Sequence, residues 1–315
     1  MNPGSGVVGV DVGGTKMLAV ALDPDGRVVG TLKVPTPAGP DRLLDDLAGL
    51  VAGVAGGPPA TVGIGIPGMV DHDGVLRHSA HLAGLVGVEV GPEVSRRLDG
   101  VAVTVTNDAT AATWAEHRLG AGAGVDNLLM VTLGTGIGGG LIAEGRLVVG
   151  AHGYAGEIGH LVVDPHGPPC PCGLRGCWER FASGDGLGRL GREWAAAGRA
   201  PGVVTAAGGD PEAVRGEHVT VAAAGGDAGA AALMSELGWW LAFGLANLTN
   251  VIDPERVVIG GGLAEAGEVL MGPARAAFAD LVEGHHARAR LRLVPAALGE
   301  SAGAVGAALL GAGGG

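Results

Sequence analysis

The chain has 315 residues, of which 63 are glycine and 18 proline, yet 47% are hydrophobic and only 17% charged. That balance excludes a disordered chain, and glycines without a three-residue period exclude collagen. A formal net charge of −12 and an aromatic content of 3% disfavour nucleic acid, an anionic membrane surface or a stacking platform for single strands.

The length points to about two domains. Residues 1–6 lack a basic stretch followed by an apolar run, so no signal peptide is expected. The most apolar late segment, 239–248, is too short to span a membrane and is followed by Asn250 and Asp253. These features point to a cytoplasmic protein with no membrane and no nucleic-acid partner. Residues 7–12 read as a strand, Gly13 and Gly14 as a turn, and 17–22 as a second strand. After the turn signal Asp23-Pro24-Asp25-Gly26, residues 28–34 complete an antiparallel three-strand meander. Asp41 is placed to cap a helix whose apolar face is Leu43, Leu44, Leu47, Leu50, Val51 and Val54.

Residues 61–66 form the next expected strand, closed by Pro67-Gly68, and 101–106 another, which delivers Asn107-Asp108 at its C-terminal end. A helix is expected over 109–119 and a boundary at 120–124. The pattern then restarts: a strand over 128–133, a glycine turn over 134–140, and a hairpin over 140–149 around Glu144-Gly145. Two halves that each open with strand, glycine turn and strand suggest an internal duplication. Residues 198–229 read as loop with short helices, 231–250 as a helix, 256–259 as a strand, 260–262 as a third glycine turn and 302–310 as a terminal helix.

A glycine turn after a strand presents backbone N–H groups and lets a phosphate approach without meeting a Cβ. Asp11-Val12-Gly13-Gly14-Thr15-Lys16 has that form, with a hydroxyl on Thr15, a charge on Lys16, and Asp11 able to hold Mg²⁺ through water. The second turn contains Gly134, Thr135 and Gly136, and the third contains Gly261 and Gly262. Either of the first two turns alone is equally compatible with a plain β-turn. The GxGxxG-like spacing at 134–139 leads into a strand pattern, whereas a dinucleotide site needs a helix there. Together the turns suggest phosphoryl transfer from a nucleoside triphosphate.

His160, Cys170, Cys172 and Cys177 form H-x9-C-x-C-x4-C, and the chain has no other cysteine. Three thiolates and an imidazole make a closed, structural Zn²⁺ site with no open position for water. Asp108, at a strand's C-terminal end, reads either as a general base for an attacking hydroxyl or as the cap of the following helix.

These motifs resemble the ROK family of sugar kinases and repressors, most of all its bacterial glucokinases. Asp11 to Lys16 is similar to the family's first phosphate motif. Gly136, Gly138, Gly139, Gly150, Gly156 and Gly159-His160 fall in register with its long signature, Glu157-Ile158-Gly159-His160 with its ExGH motif, and Cys170 to Glu179 with its CxCGxxGCxE motif. The resemblance implies an α/β, actin-like (ribonuclease-H-like) fold of two lobes with a cleft between them. The small lobe would be 1–119, completed by a C-terminal helix at about 301–315, and the large lobe 120–300. It implies transfer of the γ-phosphate of ATP to the 6-hydroxyl of a hexose, with Asp108 as base. Asn107, Glu157, His160, Glu179 and Gly68 would bind the sugar. Asp11, Gly13, Gly14, Thr15, Lys16, Thr135, Gly136, Gly261 and Gly262 would bind the nucleotide. His160 would share one ring nitrogen with zinc and offer the other to the sugar, and the protein would be a homo-oligomer, dimer or tetramer.

The pattern departs from the family at residues 78–85, where His81 stands in place of the usual asparagine and no tryptophan follows. This keeps open an amino-hexose such as kanosamine or an N-acylated hexosamine beside glucose. A sugar-responsive repressor is disfavoured because the first strand begins at Val7 and leaves no room for a helix-turn-helix. Polyphosphate as donor is disfavoured by the acidic charge.

Overall fold

The structure is a computed structural model and describes residues 6–80, 82–288 and 291–313. Two compact units divide the chain. One comprises 1–130, 139–156 and 296–315, the other 131–138 and 157–295.

The first unit opens with β1 (Val7–Val12), β2 (Lys16–Leu22) and β3 (Val28–Pro35), the antiparallel meander that the turn signals predict. Helix α1 (Pro40–Ala55) follows. Its cap is Gly39 and not Asp41, because Pro40, with φ already helical, starts the helix two residues earlier. Next come β4 (Thr61–Ile66), the short pair β5 (Met69–Val70) and β6 (Leu76–His78), helix α2 (Val90–Arg97), strand β7 (Ala102–Asn107) and helix α3 (Asp108–Leu119). The sheet order is β3-β2-β1-β4-β7, with β1, β4 and β7 parallel. One face of β1 and β2 (Val8, Val10, Val12, Met17, Ala19) buries against Leu43, Leu44, Leu47 and Val51 of α1.

The other face of this sheet carries α10 (Ala302–Gly311). Gly9 and Gly63 are direct partners in the β1–β4 ladder. A Cβ at Gly9 would overlap the Ala304 carbonyl, and one at Gly63 the Ala307 carbonyl. The helix therefore lies on the sheet with almost no side chain between them. Gly306 brings α10 equally close to the Ala111 carbonyl of α3.

Strands β8 (Leu128–Leu133) and β9 (Ile137–Ala143) come next, and the division between the units falls within them. Strand β10 (Arg146–Leu147) closes the expected hairpin. The expected seven-residue turn is shorter, because Gly138, Gly139 and Gly140 belong to β9. Gly140 must lack a side chain there, since a Cβ would strike Thr113 of α3.

The second unit contains α4 (Glu179–Ala182), α5 (Gly184–Ala196), α6 (Pro201–Ala206), α7 (Gly216–Ala224), α8 (Ala228–Ile252), β11 (Arg256–Gly260), α9 (Glu268–Leu281) and β12 (Arg292–Pro295). The second sheet runs β10-β9-β8-β11-β12. In each sheet the strands stand in the order third, second, first, fourth, fifth, as an internal duplication requires. Helix α8, at 25 residues, is longer than the expected 231–250 and is long and apolar enough to cross a membrane by length and composition alone. Half of that apolar window is buried within the unit, where α8 packs on α4, α5, α7 and α9.

Candidate active site

The β7–α3 junction sets two polar side chains side by side. Asn107 ends β7 in an extended conformation, and its Oδ1 accepts the Thr110 N–H at 2.9 Å. Asn107 is thus the helix cap, and Asp108 is the first residue of the helix proper. The Asn107 Nδ2 donates to the Gly68 carbonyl at 3.1 Å, and the Asp108 Oδ1 accepts the Ala109 N–H at 2.8 Å. Gly68 has φ 125°, and a Cβ there would overlap the His78 carbonyl, so only glycine fits. Gly65, the ladder partner of Asp11, passes close beneath Asp108: a Cβ on it would lie 3.3 Å from the Asp108 Cα.

Asp11 carries the first glycine turn into the same neighbourhood. Its carboxyl is pushed up to about 7, first by burial and then by the charge of Asp108, against the opposing pull of Lys16. It also lies at the start of α10, where a Cβ on Gly303 would be 2.7 Å from its Cγ. The turn is closed by the Gly13 N–H on the Lys16 carbonyl at 2.9 Å, and the Thr36 hydroxyl donates to the Gly13 carbonyl at 2.7 Å. Gly14 and Thr15 are exposed. The Lys16 and Lys33 ammonium groups each donate to Glu300 at 2.9 Å, which holds the Glu300 carboxyl at about 2. A cavity of about 290 Å³ opens beside Gly14, walled by Thr36, Pro37, Pro40, Leu43 and the segment Leu82 to Leu85. Ser79 anchors that segment, donating to the Pro67 carbonyl at 2.7 Å and accepting the Leu82 N–H at 3.1 Å. His81 lies outside the described residues.

In the second unit, one nitrogen or sulfur from each of His160, Cys170, Cys172 and Cys177 lies within 4.8 Å of the others. The loop that holds them is pinned by bridges between Val162 and Cys177 and between Pro169 and Arg175. It is anchored by Trp178, fully buried, whose ring rests on Gly244 and whose Nε1 donates to the Trp240 carbonyl at 2.7 Å. Burial pushes the Cys170 and Cys177 thiols up. Three sulfurs and an imidazole gathered in this way fit a structural Zn²⁺, whose charge offsets the cost of burying thiolates.

His160 turns its two ring nitrogens to different neighbours. Nδ1 is 3.7 Å from the Cys170 Sγ, and Nε2 is 3.7 Å from the Glu157 Oε2. Glu179 links this cluster to the second glycine turn. Its Oε1 accepts from the Cys170 thiol at 3.0 Å, and its Oε2 accepts the Ile137 N–H at 3.4 Å. A Cβ on Gly136 would come within 2.5 Å of that same Oε2.

The turn 134–136 is held from below by α5, whose Gly184 and Asp185 N–H groups donate to the carbonyls of Gly134 and Thr135 at 2.8 and 3.2 Å. Gly261, with φ 85°, packs on the Leu133 backbone directly before that turn. A Cβ on Gly134 or Gly262 would meet nothing, so both present open backbone. The structure thus gathers the predicted residues into three groups. Asp11, Gly13, Gly14, Thr15, Lys16, Gly68, Asn107 and Asp108 lie in the first unit; Thr135, Gly136, Gly261 and Gly262 line one edge of the second; Glu157, His160, Glu179 and the cysteines form the third.

Residues 7–313 match the profile of the ROK family. The chain belongs to the ROK family. The glucokinase of Streptomyces coelicolor is 38% identical over 307 residues, covering 96% of each chain. The crystal structure of a ROK glucokinase from Streptomyces griseus, in complex with glucose and AMPPNP, superposes with a TM-score of 0.89 at 38% identity, covering 98% of this chain and 100% of that one. An N-acetylmannosamine kinase of Citrobacter koseri is 35% identical over 261 residues, 81% of this chain and 83% of its own. The duplicated sheets are therefore those of the actin-like ROK sugar-kinase fold.

Two residues of this ROK chain escaped sequence reasoning. Glu116 is fully buried in α3, and Ser79 is buried behind Gly68. The local signal for Glu116 is a carboxylate in an alanine-rich helix that also carries Asp108, His117 and Arg118, which reads equally well as a solvated face.

Proposed function

We propose that this ROK protein is an ATP-dependent hexose kinase that phosphorylates the 6-hydroxyl of glucose. The observation that carries the reading is the β7–α3 junction. Asn107 takes the capping role and Asp108 stands beside Asp11 and the first glycine turn. Asp108 accepts the proton of the sugar hydroxyl as its oxygen bonds to the γ-phosphorus and the bond to the β-phosphate oxygen breaks, releasing ADP. Asn107 and the Gly68 backbone of the first unit, and Glu157, His160 and Glu179 of the second, offer hydrogen-bonding groups for the sugar hydroxyls. The glycine turns cradle the phosphates through backbone N–H groups, with Lys16 and Thr15 adding charge and a hydroxyl. Asp11 would hold, through water, the Mg²⁺ that accompanies ATP, which would supply charge neutralisation at the phosphates.

His160, Cys170, Cys172 and Cys177 would hold a Zn²⁺ that would order the loop carrying Glu157 and Glu179. The His160 ring, with Nδ1 toward Cys170, leaves Nε2 for the sugar. An amino-hexose is the second reading, favoured by the N-acetylmannosamine kinase relative and by the cavity beside Leu82 to Leu85.

A panel of glucose, mannose, kanosamine, N-acetylglucosamine and N-acetylmannosamine, assayed with ATP-Mg²⁺, tests the choice. Glucose is expected to give the highest kcat/KM. A higher value for an amino sugar moves the assignment to that class. No turnover with any sugar and ATP, with turnover on polyphosphate or a shift of operator DNA, overturns the reading.

A further inference from the structure

Glu116 is a carboxylate with no solvent exposure, and its hydrogen bonds to the described residues come from main-chain N–H groups and not from a cation. It is satisfied by main-chain N–H groups. Its Oε2 accepts Ala121 at 2.7 Å and its Oε1 accepts Ala297 at 2.9 Å and Leu298 at 2.7 Å. Gly120 has no room for a side chain because a Cβ would overlap the same carboxylate. Such charge-assisted bonds, shielded from water, are among the stronger single ties a fold can make.

The two segments that Glu116 grips are far apart in sequence. One is the exit from α3, the helix whose first residue is Asp108; the other, 297–298, leads into α10. Between 298 and the helix stands Glu300, which holds Lys16 and Lys33. The second residue of α10 is Gly303, against the Asp11 carboxylate. Helix α3 can therefore not slide along its axis without dragging the start of α10. Gly306 against Ala111 fixes the same pair of helices sideways, but contact through glycine resists approach and not sliding. The carboxylate adds a directional tie along the axis at the far end of α3.

We infer that Glu116 is a positioning residue: it locks α3 to the start of α10 so that Asp108 stands in fixed register with Asp11 and the first glycine turn. The inference rests on the reading of Asp108 as the base.

The test is Glu116→Gln, which keeps the volume but turns an amide donor toward backbone donors. Glu116→Asp, which keeps the charge but shortens the reach, is the second variant should the first fold poorly. Leu47→Ala, in the core of α1, serves as a control for lost stability alone. For either Glu116 variant kcat is expected to fall about tenfold to a hundredfold, as a displacement near 1 Å of a reacting group produces, with KM for sugar and ATP within about threefold. In an Asp108→Asn background, Glu116→Gln is expected to add no further loss, because both act on one step.

The inference is overturned if the Glu116 variants keep kcat within about twofold of Leu47→Ala. It is equally overturned if the loss in the Asp108→Asn background equals that in the wild type. Should Asp108→Asn itself retain near-normal kcat, the assignment of the base falls, and the inference with it. That outcome is distinguished because in the other two Asp108→Asn by itself lowers kcat strongly while leaving a measurable rate.

Discussion

The two glycine turns share a sequence device but not their surroundings. The turn after β1 is flanked by ionisable side chains: Asp11 and Asp108 on one side, and the Lys16–Glu300–Lys33 cluster on the other. The turn after β8 is flanked by main chain, with α5 N–H groups on its carbonyls and the Gly261 backbone at its base, and the Glu179 carboxylate reaches it through the Ile137 N–H. Glu179 in turn belongs to the Cys–His cluster. The difference teaches that strand, glycine and strand make only a shape. What the shape does is set by side chains from elsewhere in the chain. On the proposed reading, the first turn is where charge moves, and the second is a cradle whose geometry is borrowed from a metal loop.

The most severe test of that contrast is Asp108→Asn. Loss of a general base is expected to lower kcat by roughly 10²–10⁴-fold while KM for sugar and ATP moves little. Steady-state assays with both substrates varied decide it, and an unchanged kcat would remove the first turn's distinction. Removal of the metal should act differently. Cys172→Ala, or treatment with a strong chelator, is expected to raise the sugar KM about 10–100-fold and to lower the melting temperature, with one zinc per chain found in untreated protein. Finding no zinc in freshly purified protein would break the link between metal loop and cradle.

A subtler probe separates Glu179 from the zinc. Gly136→Ala presses a methyl on the Glu179 Oε2 without touching a cysteine. An increase of roughly tenfold in KM, about 1.4 kcal/mol, with zinc content unchanged, is expected. The smallest effect concerns stability. Asp11 has a carboxyl raised from 3.8 to about 7, so the folded state holds its proton more tightly than the unfolded chain. Stability from this group is full below pH about 4 and declines as pH rises through about 7. Asp11→Asn, which is never charged, should therefore melt higher than the wild type at pH 8, by on the order of 1–2 kcal/mol without nucleotide, and the gap should narrow toward pH 5 and close below pH about 4. Thermal melts across that range check the sign, and a wild type that outlasts Asp11→Asn at pH 8 contradicts it.

The parts legible in the sequence are those decided locally. The β1–β2–β3 meander follows from turn residues at fixed offsets, and the metal cluster from the spacing of its four ligands. The parts that were not legible depend on distant neighbours or on misleading composition. Helix α5 carries four glycines, at 184, 186, 188 and 191, which weaken a local helix signal, and each faces another segment's backbone or packed side chains. Helix α9 has Pro273 in its interior, a local stop signal that packing against Gly238 of α8 overrides. Asn107 and Asp108 are both good caps, and only the observed hydrogen bond to Thr110 assigns that role to Asn107. Glu116 is bound to a segment 181 residues away, which no local pattern can announce.

The seating of α10 on β1 and β4 has a consequence for how this protein can change over time. At Gly9, Gly63 and Gly306 the neighbouring backbone already fills the volume that the smallest side chain would need. Nearly every interior site of an ordinary core admits some conservative exchange, with a modest loss that a later change can restore. These three sites admit none, since the obstacle is main chain and cannot adopt another rotamer. The helix beside the proposed base is thus held by positions where variation is closed. In this chain the room for exchange lies elsewhere, in side chains that reach toward the turns and not in the frame that carries them.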